Sequence, residues 1–234
     1  MRRAELIEYC RTEEHFFEAL KRKFPQSLSL YCVTGSLARG EIIPCWSDID
    51  VLLAFEELSA DVFEGISESL LESKSEIKIG LSVFSDSEVS HSNRKLVRTM
   101  LAMNDIVDGT LTPRLMKQGM KVAATARETI LQANCIEYAR ALHDYKRSVL
   151  DCTPESEVNT YKLLILLIKI LLTELEVAAN SYSEVLEHVS RLSLSVAIQD
   201  PQTIIRTPSL FAQRKMQYAE LVEDFTKRSL EPAL

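Results

Sequence analysis

The N-terminal half of the chain alternates between two spacings of apolar residues, three-to-four and two, whereas the C-terminal half keeps the first alone. Residues 4–23 follow the helical spacing, with a break expected near Arg11-Thr12, where Thr12 followed by Glu13 and Glu14 reads as an N-cap with an acidic first turn. Phe16, Phe17 and Leu20 supply the apolar stripe, and Pro25 ends the helix. A first strand is predicted over Ser27–Val33 and a second over Asp48–Phe55, with Ser36–Arg39 forming one helical turn between them. Ser59 caps a helix to about Lys74, with Val62, Ile66, Leu70 and Leu71 inward. A third strand, Glu76–Phe84, alternates Ile77, Ile79, Leu81 and Val83 with Lys78, Gly80 and Ser82. A turn at Asp86-Ser87-Glu88 and a helix over Arg94–Asp105 follow.

Residues 106–115 are a connector by composition, and everything beyond is predicted helical. One helix, with or without a break, is expected over Met116–Leu150, another from Thr153-Pro154 to about Ala179. A third runs from a capping box at Ser181–Glu184 to about Ile198, and the last from Thr207-Pro208 to about Arg228. Long helices with short connections suggest an up-and-down bundle. The fold class is therefore α+β, a small mixed β-sheet with flanking helices followed by a helical bundle, divided at 1–112 and 113–234.

The chemistry gathers in residues 28–54. An apolar run ends in Gly35-Ser36, a turn-rich segment carries Arg39 and Gly40, and a second apolar run opens with Ser47-Asp48-Ile49-Asp50. Residues two apart on a strand share a face and lie about 7 Å apart. Asp48 and Asp50 therefore point one way, while Ile49, Val51 and Leu53 point into a core. Paired carboxylates suit a hard divalent cation. Backbone N–H groups at the Gly35-Ser36 turn suit a phosphate. A β-hairpin with two aspartates on its solvated face is the bland alternative.

Gly35-Ser36-Leu37-Ala38-Arg39-Gly40 followed by Ser47-Asp48-Ile49-Asp50 resembles the signature of the DNA polymerase beta superfamily of nucleotidyltransferases. It is closest in form to the subgroup of minimal nucleotidyltransferases and antibiotic adenylyltransferases. The resemblance implies that Asp48 and Asp50 hold Mg2+ and act in catalysis, and that ATP is the nucleotide. Gly35 would let the backbone approach the phosphates and Ser36 would add a hydroxyl. Arg39 would pair with a phosphate or cap a surface turn; Ser47 would bind phosphate or merely start its strand. Trp46 would stack on a base or, as the plainer reading, lid the strand.

The family often carries a third carboxylate on a neighbouring strand, and this chain departs from that pattern. Gly80 and Ser82 occupy the corresponding face. Either Glu76, of the same parity, is the third metal ligand, or the base comes from elsewhere, with Glu137 and Asp144 as candidates, or catalysis is impaired. The histidines at 15, 91, 143 and 188 make no paired metal motif, and the ribonuclease motif of helical toxins is absent around Arg140 and His143. The stripe Tyr138, Leu142 and Tyr145 reads as core.

Charge narrows the partners. The net charge of −7 lies in residues 1–112, and the remainder balances. Long nucleic acid calls for a basic stripe, and none stands out. A nucleoside triphosphate and a small-molecule or protein acceptor fit better, with an antibiotic hydroxyl as the leading case. A protein or tRNA end, or a non-catalytic nucleotide-binding module, are the alternatives. No apolar run is long enough for a membrane span, no signal peptide is visible, and the cysteines at 10, 32, 45, 135 and 152 show no paired spacing. A cytoplasmic setting is expected, and a homodimer is left open.

Overall fold

The computed structural model describes residues 3–73, 75–91, 96–150, 153–174, 182–191 and 200–230. It divides into two compact units, Met1–Ile130 and Leu131–Leu234.

The first unit is built in chain order from α1 (Arg3–Lys23), β1 (Leu28–Thr34), α2 (Gly35–Ala38), β2 (Ile49–Phe55), α3 (Ala60–Ser73), β3 (Ile79–Ser85), α4 (Asp86–Val89), α5 (Val97–Asp108) and β4 (Leu115–Met116). The sheet order is β3-β2-β1-β4. β1 lies antiparallel to β2 and to β4, while β2 and β3 run parallel with α3 as their crossover, so the sheet is mixed as expected. The pleat sorts the side chains. Leu28, Tyr31, Ile49, Val51, Leu53 and Phe55 pack with Phe16, Phe17 and Leu20 of α1 and with Val62 and Ile66 of α3. Leu30, Cys32, Leu52 and Ala54 face the other way, toward Val89 of α4 and Met103 of α5. Asp50 shares the parity of Leu52 and Ala54, which turns it away from the α1–α3 core.

Several expectations are corrected. No break interrupts α1 at Thr12; the Thr12 hydroxyl lies inside the helix and donates to Ser75 Oγ at 2.9 Å, a tertiary tie in place of a cap. β3 begins at Ile79 and not Glu76, because Ser75 Oγ accepts the Ile77 N–H at 3.0 Å and holds a local turn. Leu71 is exposed. The helix expected from Arg94 begins at Val97 among the described residues and closes on Gly109 at φ +84°.

The chain beyond Pro113 is not all helical. β4 hydrogen-bonds to Leu30 and Tyr31 of β1, flanked by Arg114 N–H to the Tyr31 carbonyl at 2.9 Å. The Arg114 guanidinium holds Glu13 and Glu14 of α1 at 2.8 and 2.6 Å and lies over the Phe17 ring. The 113–130 segment consequently belongs to the first unit, later than the division expected at 112/113. Residues 117–126 are irregular, with Gly119 at φ +83°. The Asn104 amide grips the Thr125 N–H and carbonyl at 2.7 and 3.1 Å.

α6 (Arg127–Ser148) runs into the second unit, followed by α7 (Pro154–Glu174), α8 (Tyr182–Arg191), α9 (Pro201–Arg206), α10 (Ser209–Ala212) and α11 (Lys215–Leu230). α7 is central: the expected buried run, including Leu164, Ile165, Leu167 and Ile168, packs among α8, α9, α10 and α11. Thr153 Oγ1 accepts the Ser156 N–H at 3.2 Å, the cap its sequence suggests. Ser181 and residues 192–198, part of the expected third helix, lie outside the described residues, as do 175–179. Asp200-Pro201 opens a short helix instead of only ending one, with proline in its first turn. The single last helix expected from Pro208 is broken between α10 and α11. No described helix is long and apolar enough to cross a membrane.

Candidate functional site

The site assembles where β1 ends, α2 turns and β2 begins. Antiparallel pairing sets Thr34 opposite Asp50, and parallel pairing sets Gly80 opposite Asp50 on the other side. Asp50 is thereby wedged between two glycines. A Cβ on Gly35 would lie 2.5 Å from Asp50 Oδ2, and one on Gly80 would lie 3.1 Å from Asp50 Oδ1. Gly35 also adopts φ +65°, a left-handed conformation that costs an L residue about 1–2 kcal/mol. Gly35 is thus required twice, for its backbone and for the space that the carboxylate occupies.

α2 is one helical turn without a side-chain cap at Thr34, which leaves N–H groups at its start without intrahelical acceptors. Ser36 is half-buried in that turn and its carbonyl accepts the Glu41 N–H at 2.8 Å. Arg39 closes the turn, exposed, with Nε 3.4 Å from Glu41 Oε2.

The loop into β2 is held from inside. The N–H groups of Trp46 and Ser47 both donate to the Ile43 carbonyl, at 3.1 and 2.8 Å, around a Pro44-Cys45 turn in which Cys45 takes φ +61°. Ser47 Oγ accepts the Ile43 N–H at 2.9 Å, and the Ser47 carbonyl accepts the Tyr9 hydroxyl at 2.9 Å. Ser47 is buried, so its hydroxyl first serves the turn that delivers Asp48. Trp46 is also buried, which makes it a lid over the core and not a platform for a base.

Asp48 stands just ahead of β2, partly exposed, with Lys78 Nζ 3.7 Å from its Oδ2. Burial holds the Asp50 carboxyl above the usual carboxylate range; Arg98 opposes this, Asp48 adds to it, and Arg39 and Lys78 oppose it further. Arg98, in the first turn of α5, is thus part of the charge field of the site. Sequence reasoning passed over it, because nothing local tells that α5 crosses this face. Asp105 of the same helix senses Arg39 in turn.

Glu76 is not brought to the pair. It is exposed on the turn ahead of β3, and among the described residues no three His, Cys, Asp or Glu side chains gather as a metal cluster. Glu137 and Asp144 lie half-buried on α6 in the second unit. What remains is a two-carboxylate donor set beside a turn of free N–H groups. That set fits Mg2+, which binds through one or two carboxylates and completes its octahedron with water and phosphate oxygens.

Residues 13–101 match the family described as nucleotidyltransferase domain, a span that contains the whole of this site. No curated protein matches the sequence at a significant level. Among solved structures, the chain is similar to the spectinomycin adenyltransferase AAD(9) from Enterococcus faecialis, crystallised with ATP and spectinomycin. The TM-score is 0.62 at 11% identity over 95% of this chain and 98% of the other, a likeness of fold. The segment that presents Asp48 and Asp50 beside the Gly35-Ser36 turn is thus similar to a nucleotidyltransferase domain.

Proposed function

We propose that this protein transfers a nucleoside monophosphate, AMP from ATP, to a hydroxyl of a small molecule such as an antibiotic. The observation that carries this reading is the carboxylate pair at the start of β2, with Asp50 seated against the Gly35 backbone. Asp48 and Asp50 would hold Mg2+, which when bound neutralises charge on the phosphates at the reacting centre. The N–H groups of Gly35 and Ser36, the Ser36 hydroxyl and the Arg39 guanidinium would receive the phosphate oxygens. The acceptor oxygen attacks the α-phosphorus, the bond to the bridging oxygen breaks, and pyrophosphate leaves. The hydroxyl proton passes to a general base.

The fold likeness to an adenyltransferase crystallised with ATP and an antibiotic supports both the nucleotide and the acceptor class. The unbalanced negative charge of residues 1–112 supports a small acceptor over a long nucleic acid. Exposed free thiols at Cys10, Cys45 and Cys135 fit a reducing compartment, the cytoplasm.

The experiment is pyrophosphate release from each of the four triphosphates with Mg2+, over a panel of aminocyclitol and aminoglycoside acceptors, with protein and tRNA acceptors alongside. Acceptor-dependent release with ATP, lost in Asp48→Asn and Asp50→Asn, is the expected result. Release that survives both substitutions would overturn the assignment. Nucleotide binding without release over the whole panel would mark a binding module instead.

A further inference from the structure

Gly80 shows which side of β3 looks at the site, since its Cβ would point at Asp50 Oδ1. Alternation then gives Lys78 and Ser82 the same face, and the 3.7 Å approach of Lys78 Nζ to Asp48 Oδ2 bears this out for Lys78. The backbone at 78 is fixed as well, because its carbonyl accepts the N–H of Ile49, the first residue of β2, at 2.9 Å. A third acid on this strand would add to the negative charge of the pair. The residue just ahead of the strand instead presents an ammonium, tied at its backbone to β2 and resting at its tip beside Asp48.

We infer that Lys78 is a phosphate-binding residue of this site: it pairs with Asp48 in the free protein and passes to the triphosphate tail of the incoming nucleotide. This rests on the nucleotidyltransferase reading above. An exposed ammonium–carboxylate pair at this distance is screened by water and weak, so the exchange has little to overcome. Lys78 would exchange Asp48, once that carboxylate holds a metal, for the strong acceptors of the triphosphate. Lys carries three rotatable donors on a flexible stem and suits an anion whose position shifts between bound and leaving states.

The test needs binding measurements besides turnover. Calorimetry on the full chain, in EDTA and in Mg2+, would compare ATP, inorganic tripolyphosphate and AMP for wild type, Lys78→Met and Lys78→Arg. Lys78→Met is expected to weaken ATP and tripolyphosphate about tenfold or more, as loss of a charged contact should. AMP binding stays unchanged, and Lys78→Arg recovers most of the loss. In the absence of nucleotide, Mn2+ binding followed by electron paramagnetic resonance should tighten in Lys78→Met, because the competing cation on Asp48 is gone. Equal ATP affinity in wild type and Lys78→Met would overturn the inference and leave the enzyme reading standing. A wild type that binds none of the four triphosphates would overturn both.

Discussion

Two acid–lysine pairs, one in each unit, use the same chemistry for opposite ends. In the first unit, Lys78 and Asp48 stand 3.7 Å apart with side chains 76% and 37% exposed. In the second, Lys215 and Glu157 stand 3.0 Å apart with side chains 12% and 5% exposed, between the starts of α11 and α7. Water decides the difference. The exposed pair is screened and weak, so its partners can be exchanged for a ligand. The buried pair cannot be opened without leaving a charge in an apolar surround, so it fixes helix against helix. Tyr161, one turn beyond Glu157, meets Phe211 edge-on, and Phe211 stacks on Tyr218, one turn beyond Lys215. An ion pair inside that aromatic packing is part of the fold, whereas one at a strand edge beside a glycine turn stays open to a ligand.

The comparison breaks first at the buried end. Lys215→Met removes the ammonium from the buried Glu157 carboxylate and is expected to cost about 3–5 kcal/mol of stability, read from urea unfolding of the full chain. A loss under 1 kcal/mol would show that water reaches this pair as well. At the site the large effect is on rate. Asp48→Asn or Asp50→Asn should lower pyrophosphate release by about a thousandfold or more, the several kcal/mol that metal-assisted charge neutralisation contributes.

Gly35→Ala sharpens the point, because it combines both kinds of damage. The left-handed backbone should cost about 1–2 kcal/mol in unfolding experiments, and the displaced Asp50 carboxylate should weaken Mn2+ binding. Gly40→Ala serves as the control, since Gly40 shares the positive φ but meets no atom within 4 Å of an added Cβ. It should lose stability and keep its Mn2+ affinity.

The smallest effect belongs to an acid in open water. Asp108 Oδ1 accepts the Thr110 N–H at 2.9 Å, and that hydrogen bond holds its carboxyl below the usual range. A lowered folded pKa means that the contribution is complete above the ordinary carboxylate value and disappears as pH falls through the folded one. Asp108→Ala should therefore be slightly less stable than wild type at pH 7 and indistinguishable from it at pH 2, by thermal unfolding.

The sequence by itself determined what depends on near neighbours. Gly35-Ser36 and Ser47-Asp48-Ile49-Asp50 told the motif, because a strand's alternation and a glycine turn are local rules. The same rules foretold β1, β2 and α3, and a buried apolar run within α7. Tertiary structure decided what depends on partners distant along the chain. β4 is too short to show a period and exists because Tyr31 offers it a ladder. Thr12 has the sequence of a cap, but Ser75 claims its hydroxyl from across the unit. Arg98 joins the site because α5 crosses the face of Asp50, and Glu76 is lost to it because Ser75 folds a turn there. Alternation could place Lys78 and Gly80 on one face, but only the parallel register set that face against the carboxylates. A chain can state a motif locally; the charges around it are chosen by whatever packs alongside.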